Sequence, residues 1–285
     1  MPSFPLFLSS FGALGLRWNG KDIAIAGEKP AALLAYLALE PGPHRRESLA
    51  ELLWPGVPTE SARHSLRQTV FNLRNLLMDA TGHAFIAGRN QLAWDGESVF
   101  TSDVALLLDA VAGDPGAPMD DATRITTLKA AMAVYAGPFL STLSLADCQD
   151  FMDWVHFKRE ALHLRALELL RRLIDCLESQ GRTREALSFA LRYTELEPWS
   201  EMGYLHAMRL YAADGQRDAA LALYETYCRV LERDLGVLPG KDVQALMEDL
   251  RHQNRTSAEL VSRLEERRQV TVLFCELHVA DVSDL

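Results

Sequence analysis

The first hundred residues switch between two hydrophobic periods. "ALGLRW" and "KDIAIAG" read as short strands on either side of Asn19-Gly20. Both turn residues tolerate positive φ, so this pattern predicts a β-hairpin. "KPAALLAYLALEPG" then changes to the helical period, with Pro30 near its start and Pro41-Gly42-Pro43 as its stop. "RRESLAELLWPG" predicts a second, short helix that Pro55-Gly56 ends. "TESARHSLRQTVFNLRNLL", residues 59–77, predicts a third, capped by Thr59 with Ser61 as the other candidate. "HAFIAGRNQLAWDG" sets apolar residues around Gly88-Arg89-Asn90, a hairpin signal near 85–94. Strands, three helices and a hairpin, in that order, are the layout of a winged helix-turn-helix preceded by a small sheet.

The stretch around 111–124, "VAGDPGAPMDDATR", reads as a loop. Beyond it, to about residue 265, the pattern is helical almost throughout. "GRTREALSFALRY" and "GQRDAALALYETY" begin at Gly181 and Gly215, 34 residues apart, and Ala186/Ala220 and Leu187/Leu221 match at that offset. Small residues at fixed places in paired helices let the helices approach closely, as tetratricopeptide-type repeats require. The expected fold is therefore mainly α: an N-terminal winged helix-turn-helix (α+β), then an all-α, tetratricopeptide-like helical repeat domain.

Composition narrows the setting. With 48% hydrophobic and 24% charged residues the chain has material for real cores without a metal or disulfide staple. Cys148, Cys176, Cys228 and Cys275 are far apart and form no metal-ligand spacing. "MPSFPLFLSSFG" lacks the basic start of a signal peptide, and no apolar run nears the roughly 20 residues of a membrane span. A cytoplasmic protein without membrane contact is expected. The net charge of −10 is uneven: residues 1–100 hold nine Lys/Arg and nine Asp/Glu, leaving 20 and 30 for the remainder. A neutral first part can carry a local basic stripe.

The third helix has such a stripe. At 100° per residue Ala62, Leu66, Val70, Leu73 and Leu77 gather on one arc. Arg63, Arg67, Phe71 and Arg74 run along one flank of the opposite arc, and His64, Gln68, Asn72 and Asn75 extend it. Guanidinium forks suit guanine edges and phosphates, and amides suit adenine. Phe71 is the anomaly, fit to touch a thymine methyl or to dock elsewhere on the protein. The bland alternative is solvated surface charge, but the short preceding helix, tight Pro-Gly turn and following hairpin are what a recognition helix needs around it. The expected DNA contacts are phosphate anchoring by Arg45, Arg46, Arg74 and Arg89, with Asn90 beside Arg89 at the wing tip, and base reading by Arg63, His64, Arg67, Gln68 and Asn72.

"GEKPAALLAYLALEPG…RRESLAELLWPG…SARHSLRQTVFNLRNLL…GRNQLAW" resembles the OmpR-like winged helix of the Streptomyces antibiotic regulatory protein family. "YAGPFLSTLSLADCQDFMDWVHFKREAL" and "LRYTELEPWSEMGYLHAMRLYAADGQRDAALALYETYCRVLERDLGVLP" are similar to the bacterial transcriptional activator domain that follows it there. The resemblance covers roughly residues 5–255. It implies a transcription regulator, an activator, that binds double-stranded promoter DNA and works beside RNA polymerase. The implied division is 1–100 for DNA binding, 101–262 for the activator domain and 263–285 for a linker and terminal strand. Many OmpR-like helices have arginine just before the final Leu-Arg; this one has Asn72 before Leu73-Arg74, so no base preference carries over.

The helical half offers no enzyme chemistry. His156 and His163 lie two turns apart, too far to share one ion, and phosphate-binding glycine loops are missing. Asp147, Asp150 and Asp153 suit the N-terminal end of a helix. Trp154, Phe157, Tyr193, Trp199, Tyr204, Tyr211, Tyr224 and Tyr227 read as core and interface. No cofactor or metal is expected. The module suits protein contact: a homodimer, polymerase or an intramolecular switch, with a small-molecule pocket as an alternative. "ERRQVTVLFCEL" resembles the first strand of a class III nucleotide cyclase domain, but Glu276 stands where the metal-binding aspartate belongs and "HVADVSDL" lacks the following small turn. The tail therefore leaves a rival: the regulatory half of a larger signalling enzyme that no longer binds DNA.

Overall fold

The computed structural model describes residues 6–82, 86–94, 100–113 and 120–252. The chain divides into two compact units between Leu196 and Glu197. The first opens with β1 (Leu6–Ser9), β2 (Gly15–Trp18) and β3 (Lys21–Asp22), followed by α1 (Glu28–Leu39), β4 (His44–Arg45), α2 (Arg46–Leu53) and α3 (Thr59–Thr81). Next come β5 (Ile86–Ala87), β6 (Gln91–Trp94) and β7 (Phe100–Ser102), then α4 (Asp103–Ala112), α5 (Asp121–Val134), α6 (Gln149–Ser179) and α7 (Thr183–Leu196). The second unit holds α8 (Glu201–Ala213), α9 (Arg217–Leu235) and a further helix, α10, over 241–252. Mainly α with a small N-terminal sheet and wing, the architecture is the one the sequence predicts.

The Asn19-Gly20 hairpin is present: both residues have positive φ (46° and 82°), and Trp18 pairs Lys21 in antiparallel register. The four-stranded sheet runs β3-β2-β1-β7, and β7 lies parallel to β1, pairing Leu6 with Phe100 and Leu8 with Ser102. Asp103 fixes that closure. Its carboxylate accepts the backbone N–H of Ser10 at 2.5 Å and of Phe11 at 2.8 Å, and the Ser10 hydroxyl at 2.8 Å. Burial pushes the Asp103 carboxyl above its ordinary range against the pull of these bonds.

Helix α3 buries its predicted apolar arc of Ala62, Leu66, Val70, Leu73 and Leu77, and α1 and α2 bury Leu33, Leu34, Leu37, Leu49 and Leu53. Helix α3 departs from expectation at its start. Pro58 is the N-cap and no side chain caps the helix, so Thr59 is its first helical residue. Proline fixes φ for the entry and leaves no hydroxyl at the capping position. The wing is a sheet of order β4-β6-β5, with His44 opposite Leu92 and Ile86 opposite Trp94.

Two corrections concern the middle of the chain. The predicted loop at 111–124 is narrower: α4 runs to Ala112 and α5 begins at Asp121, its N-cap Asp120 accepting the Thr123 N–H. Residues 136–148 are not helical. They return to the N-terminal sheet, where Gly12 N–H donates to the Pro138 carbonyl, Leu140 N–H to the Ser10 carbonyl, and Phe11 bridges Phe139, with the Tyr135 ring tilted against Phe11 at 4.7 Å. Long-range pairing, which has no sequence period, overrides helix pattern here.

Helix α6, 31 residues long, carries the winged helix on its first half. Glu40, just after α1, accepts the Trp154 indole N–H at 2.7 Å and lies 2.8 Å from the Lys158 ammonium. Lys29 pairs with Asp147 at 2.7 Å, the Cys148 thiol donates to the Leu53 carbonyl at 3.2 Å, and Tyr36 packs on Trp154. Burial raises the Cys148 thiol to about 11, leaving it an inert structural group. For Glu40 burial acts upward, but the Lys158 and Trp154 hydrogen bonds prevail and hold the carboxyl below its usual value.

The 34-residue offset is exact at the backbone. Arg182 N–H donates to Leu177 and Gln216 N–H to Tyr211, each pair around a glycine with positive φ (Gly181 68°, Gly215 80°). That closes each preceding helix with the same left-handed turn. Ala186 and Ala220 are both fully buried, as close helix packing requires. In the second unit Tyr204 stacks on Tyr227 at 4.2 Å among Met208, Leu231, Val243 and Leu250. Trp154, Tyr204 and Tyr227 are packed as expected, whereas Phe157 and Trp199 are exposed. The cyclase-like segment lies outside the described residues.

Candidate nucleic-acid interface

Helix α3 rises through 23 residues, about 34 Å. Its buried arc faces α1 and α2, which leaves His64, Arg67, Gln68, Phe71, Asn72, Arg74 and Asn75 exposed on the other side. Gln68 donates to Asn72 at 2.9 Å, so the two amides form one unit. Arg67, Phe71, Arg74 and Met78 follow one another at intervals of four, three and four residues and form a ridge within about 40° of one direction.

Arg46, the first residue of α2, stands beside that ridge. Its Nε donates to the Arg89 carbonyl at 2.9 Å and Nη2 to the Gly88 carbonyl at 3.4 Å. The guanidinium thus ties the wing turn to the helix pair. Burial, then the nearby guanidinium groups of Arg74 and Arg67, push it below the ordinary arginine value. Like charges so crowded make a local positive focus on the surface. Together with Val70, Phe71, Asn75 and Met78 these arginines line a cavity of about 440 Å³. Arg45, Arg89 and Asn90 are exposed along the wing edge, and Arg45 pairs with Gln91 in its sheet. Gly88 has φ 114°, and a Cβ there would stand 2.0 Å from the Gln91 carbonyl oxygen, so only glycine fits the turn.

Arg63 is placed differently. It is on the α2 flank, paired with Glu60 at 3.1 Å and Glu47 at 3.3 Å, and its Nε is buried with no partner among the described residues. Its neighbours on the wheel gave it to the polar arc, but Glu47 lies on another helix and no local pattern reveals it. Sequence reasoning also passed over Arg46 as a wing clamp, since its partners are backbone carbonyls 42 and 43 residues away.

No comparable focus occurs among the described residues of the helical part. His156 is exposed, and His163 is 3.2 Å from the Tyr135 hydroxyl. A second cavity of about 440 Å³ among α4, α5 and α6 contains Arg124, Arg171 and Arg172, each already paired with a carboxylate. Among the described residues no helix is long and apolar enough to cross a membrane.

A winged helix-turn-helix joined to paired helices defines a class of transcription regulators. Residues 103–251 match the bacterial transcriptional activator domain, and the chain belongs to that family. Membership makes it a transcription regulator of the antibiotic-regulatory-protein type, not an enzyme. The match ends at residue 251 and lends no support to a cyclase-like tail. Among solved structures, Mycobacterium tuberculosis EmbR, in complex with a low affinity phosphopeptide, is similar with a TM-score of 0.64 and 22% identity over 93% of this chain and 72% of that one. That likeness concerns the fold. No curated protein matches the chain.

Proposed function

We propose that the chain activates transcription by binding double-stranded promoter DNA through α3 and the wing, while its helical part contacts RNA polymerase. Residues 1–100 serve as the reader and 101–262 as the activator module. The observation that carries this reading is the guanidinium cluster of Arg46, Arg67 and Arg74 beside the wing turn. The major groove is about 12 Å wide and admits a helix, whose exposed His64, Arg67, Gln68 and Asn72 then face base edges. Arg45, Arg74, Arg89 and Asn90 lie outward as phosphate contacts, and Arg46 holds the wing while adding its charge. Arg63 joins the base-reading set by exchanging its Glu47 and Glu60 partners for DNA.

The test is binding of the full chain to DNA from its own upstream region, at two salt concentrations and against random DNA. Arg67→Ala is expected to cost about 1–3 kcal/mol on the specific site and less on random sequence. Arg74→Ala is expected to weaken both alike and to lower the salt slope by about one. Binding no tighter than to random DNA, indifferent to salt and to both variants, refutes the reading.

A further inference from the structure

Phe71 is 58% exposed at the middle of α3, between Arg67 and Arg74 on a ridge whose other exposed apolar residue is Met78, two turns on. It does not serve the core, because Leu66, Val70, Leu73 and Leu77 fill the buried arc without it. Its direction is about 130° from theirs and the side chain is 58% exposed, so it faces solvent rather than the core. Arg67 stands one turn before it and Arg74 one turn after, with Arg46 across the same cavity. A protein patch with such charges would have to be acidic where it meets the phenyl ring. A DNA major groove satisfies both demands, since it offers phosphates at its walls and one apolar group on its floor. That group is the C5-methyl of thymine.

Resting on the reading of α3 as the DNA-facing helix, we infer that Phe71 is a specificity-determining residue that packs on a thymine C5-methyl. Being central in a helix of about 34 Å, it lies where a straight helix in a curved groove comes nearest the bases. Arg74 then fixes its depth by engaging a flanking phosphate, while Arg67 reads the neighbouring base edge. The contact selects a 5-methylpyrimidine over cytosine without a hydrogen bond, a form of readout that an arginine and amide count of this helix omits.

The experiment begins with duplexes enriched by the full chain from a random-sequence pool. Each thymine of the best duplex is replaced in turn by deoxyuridine, which removes only the methyl group. Binding is measured for the wild type, Phe71→Ala and Phe71→Leu. At one or two positions the wild type is expected to lose about fourfold, the worth of one buried methyl. Phe71→Ala binds the thymine duplex correspondingly weaker and is indifferent to uracil there, while Phe71→Leu keeps part of the sensitivity. Because Phe71 is exposed, its variants keep the wild-type melting temperature. Unchanged DNA binding by Phe71→Ala overturns the inference, as does uracil sensitivity equal in wild type and Phe71→Ala at every position. In either case an Arg67→Ala loss on the same duplex leaves the DNA reading standing. Failure to enrich any sequence, with binding indifferent to Arg67→Ala, overturns both.

Discussion

Glu40→Gln tests whether the winged helix is held on α6 by charge. Glutamine keeps the length and an oxygen for the Trp154 indole N–H, but removes the partner of the Lys158 ammonium, 2.8 Å away. The two side chains are 25% and 30% exposed, so the pair lies between a surface ion pair, worth about 0–1 kcal/mol, and a buried charged hydrogen bond of about 1.5–3 kcal/mol. A loss of about 1–2 kcal/mol follows. For a unit of this size that lowers the melting temperature by about 2–8 °C. The assay is thermal unfolding followed by circular dichroism and tryptophan fluorescence at several pH values. Although burial acts upward on Glu40, its bonds to Lys158 and Trp154 hold the folded-state carboxyl below the ordinary value of 4.5. The stabilisation is therefore present above that value and lost as pH falls through the lower folded-state one. The wild type and Glu40→Gln should differ at neutral pH and converge in acid. A difference that persists or grows in acid, or none at neutral pH, refutes the reasoning.

Two other substitutions probe the frame around the reader. Gly88→Ala forces a Cβ onto the Gln91 carbonyl oxygen at a φ of 114°, so the wing turn must open; specific DNA binding should drop at least tenfold, checked by the same binding assay, while melting of the helical part stays within about 2 °C. Asp103→Asn replaces one acceptor oxygen with a donor facing the Ser10 and Val104 donors, and should cost about 2–4 kcal/mol in urea unfolding, with wild-type stability as the refuting result.

Much of the reader could be inferred because its determinants are local. The Asn19-Gly20 turn, the three helices, the wing glycine and the 34-residue offset each depend on residues within one or two turns. What escaped depends on distant partners. Phe100–Ser102 is too short to show alternation, and its pairing with β1 spans more than ninety residues. Asp103 looks like an ordinary helix-start acid until Ser10 and Phe11 are seen to donate to it. The return of residues 136–148 to the sheet is set by Phe11 and Pro138, not by any period. At the site, α3 presents Arg67, Gln68, Phe71 and Arg74 as helical spacing requires, while Arg63 and Arg46 were assigned without their partners Glu47 and the wing carbonyls.

The mounting of α1 and α2 on α6 turns that helix into a lever. At 31 residues it is a rod of about 46 Å, clamped to the reader at its first turns through Asp147, Cys148, Trp154 and Lys158. A tilt of about 5° at one end of such a rod displaces the other by about 4 Å, more than the 3.4 Å between neighbouring base pairs. The far half of α6 is buried at Leu169, Leu173 and Leu177, so whatever shifts the packing there has mechanical leverage over the orientation of α3.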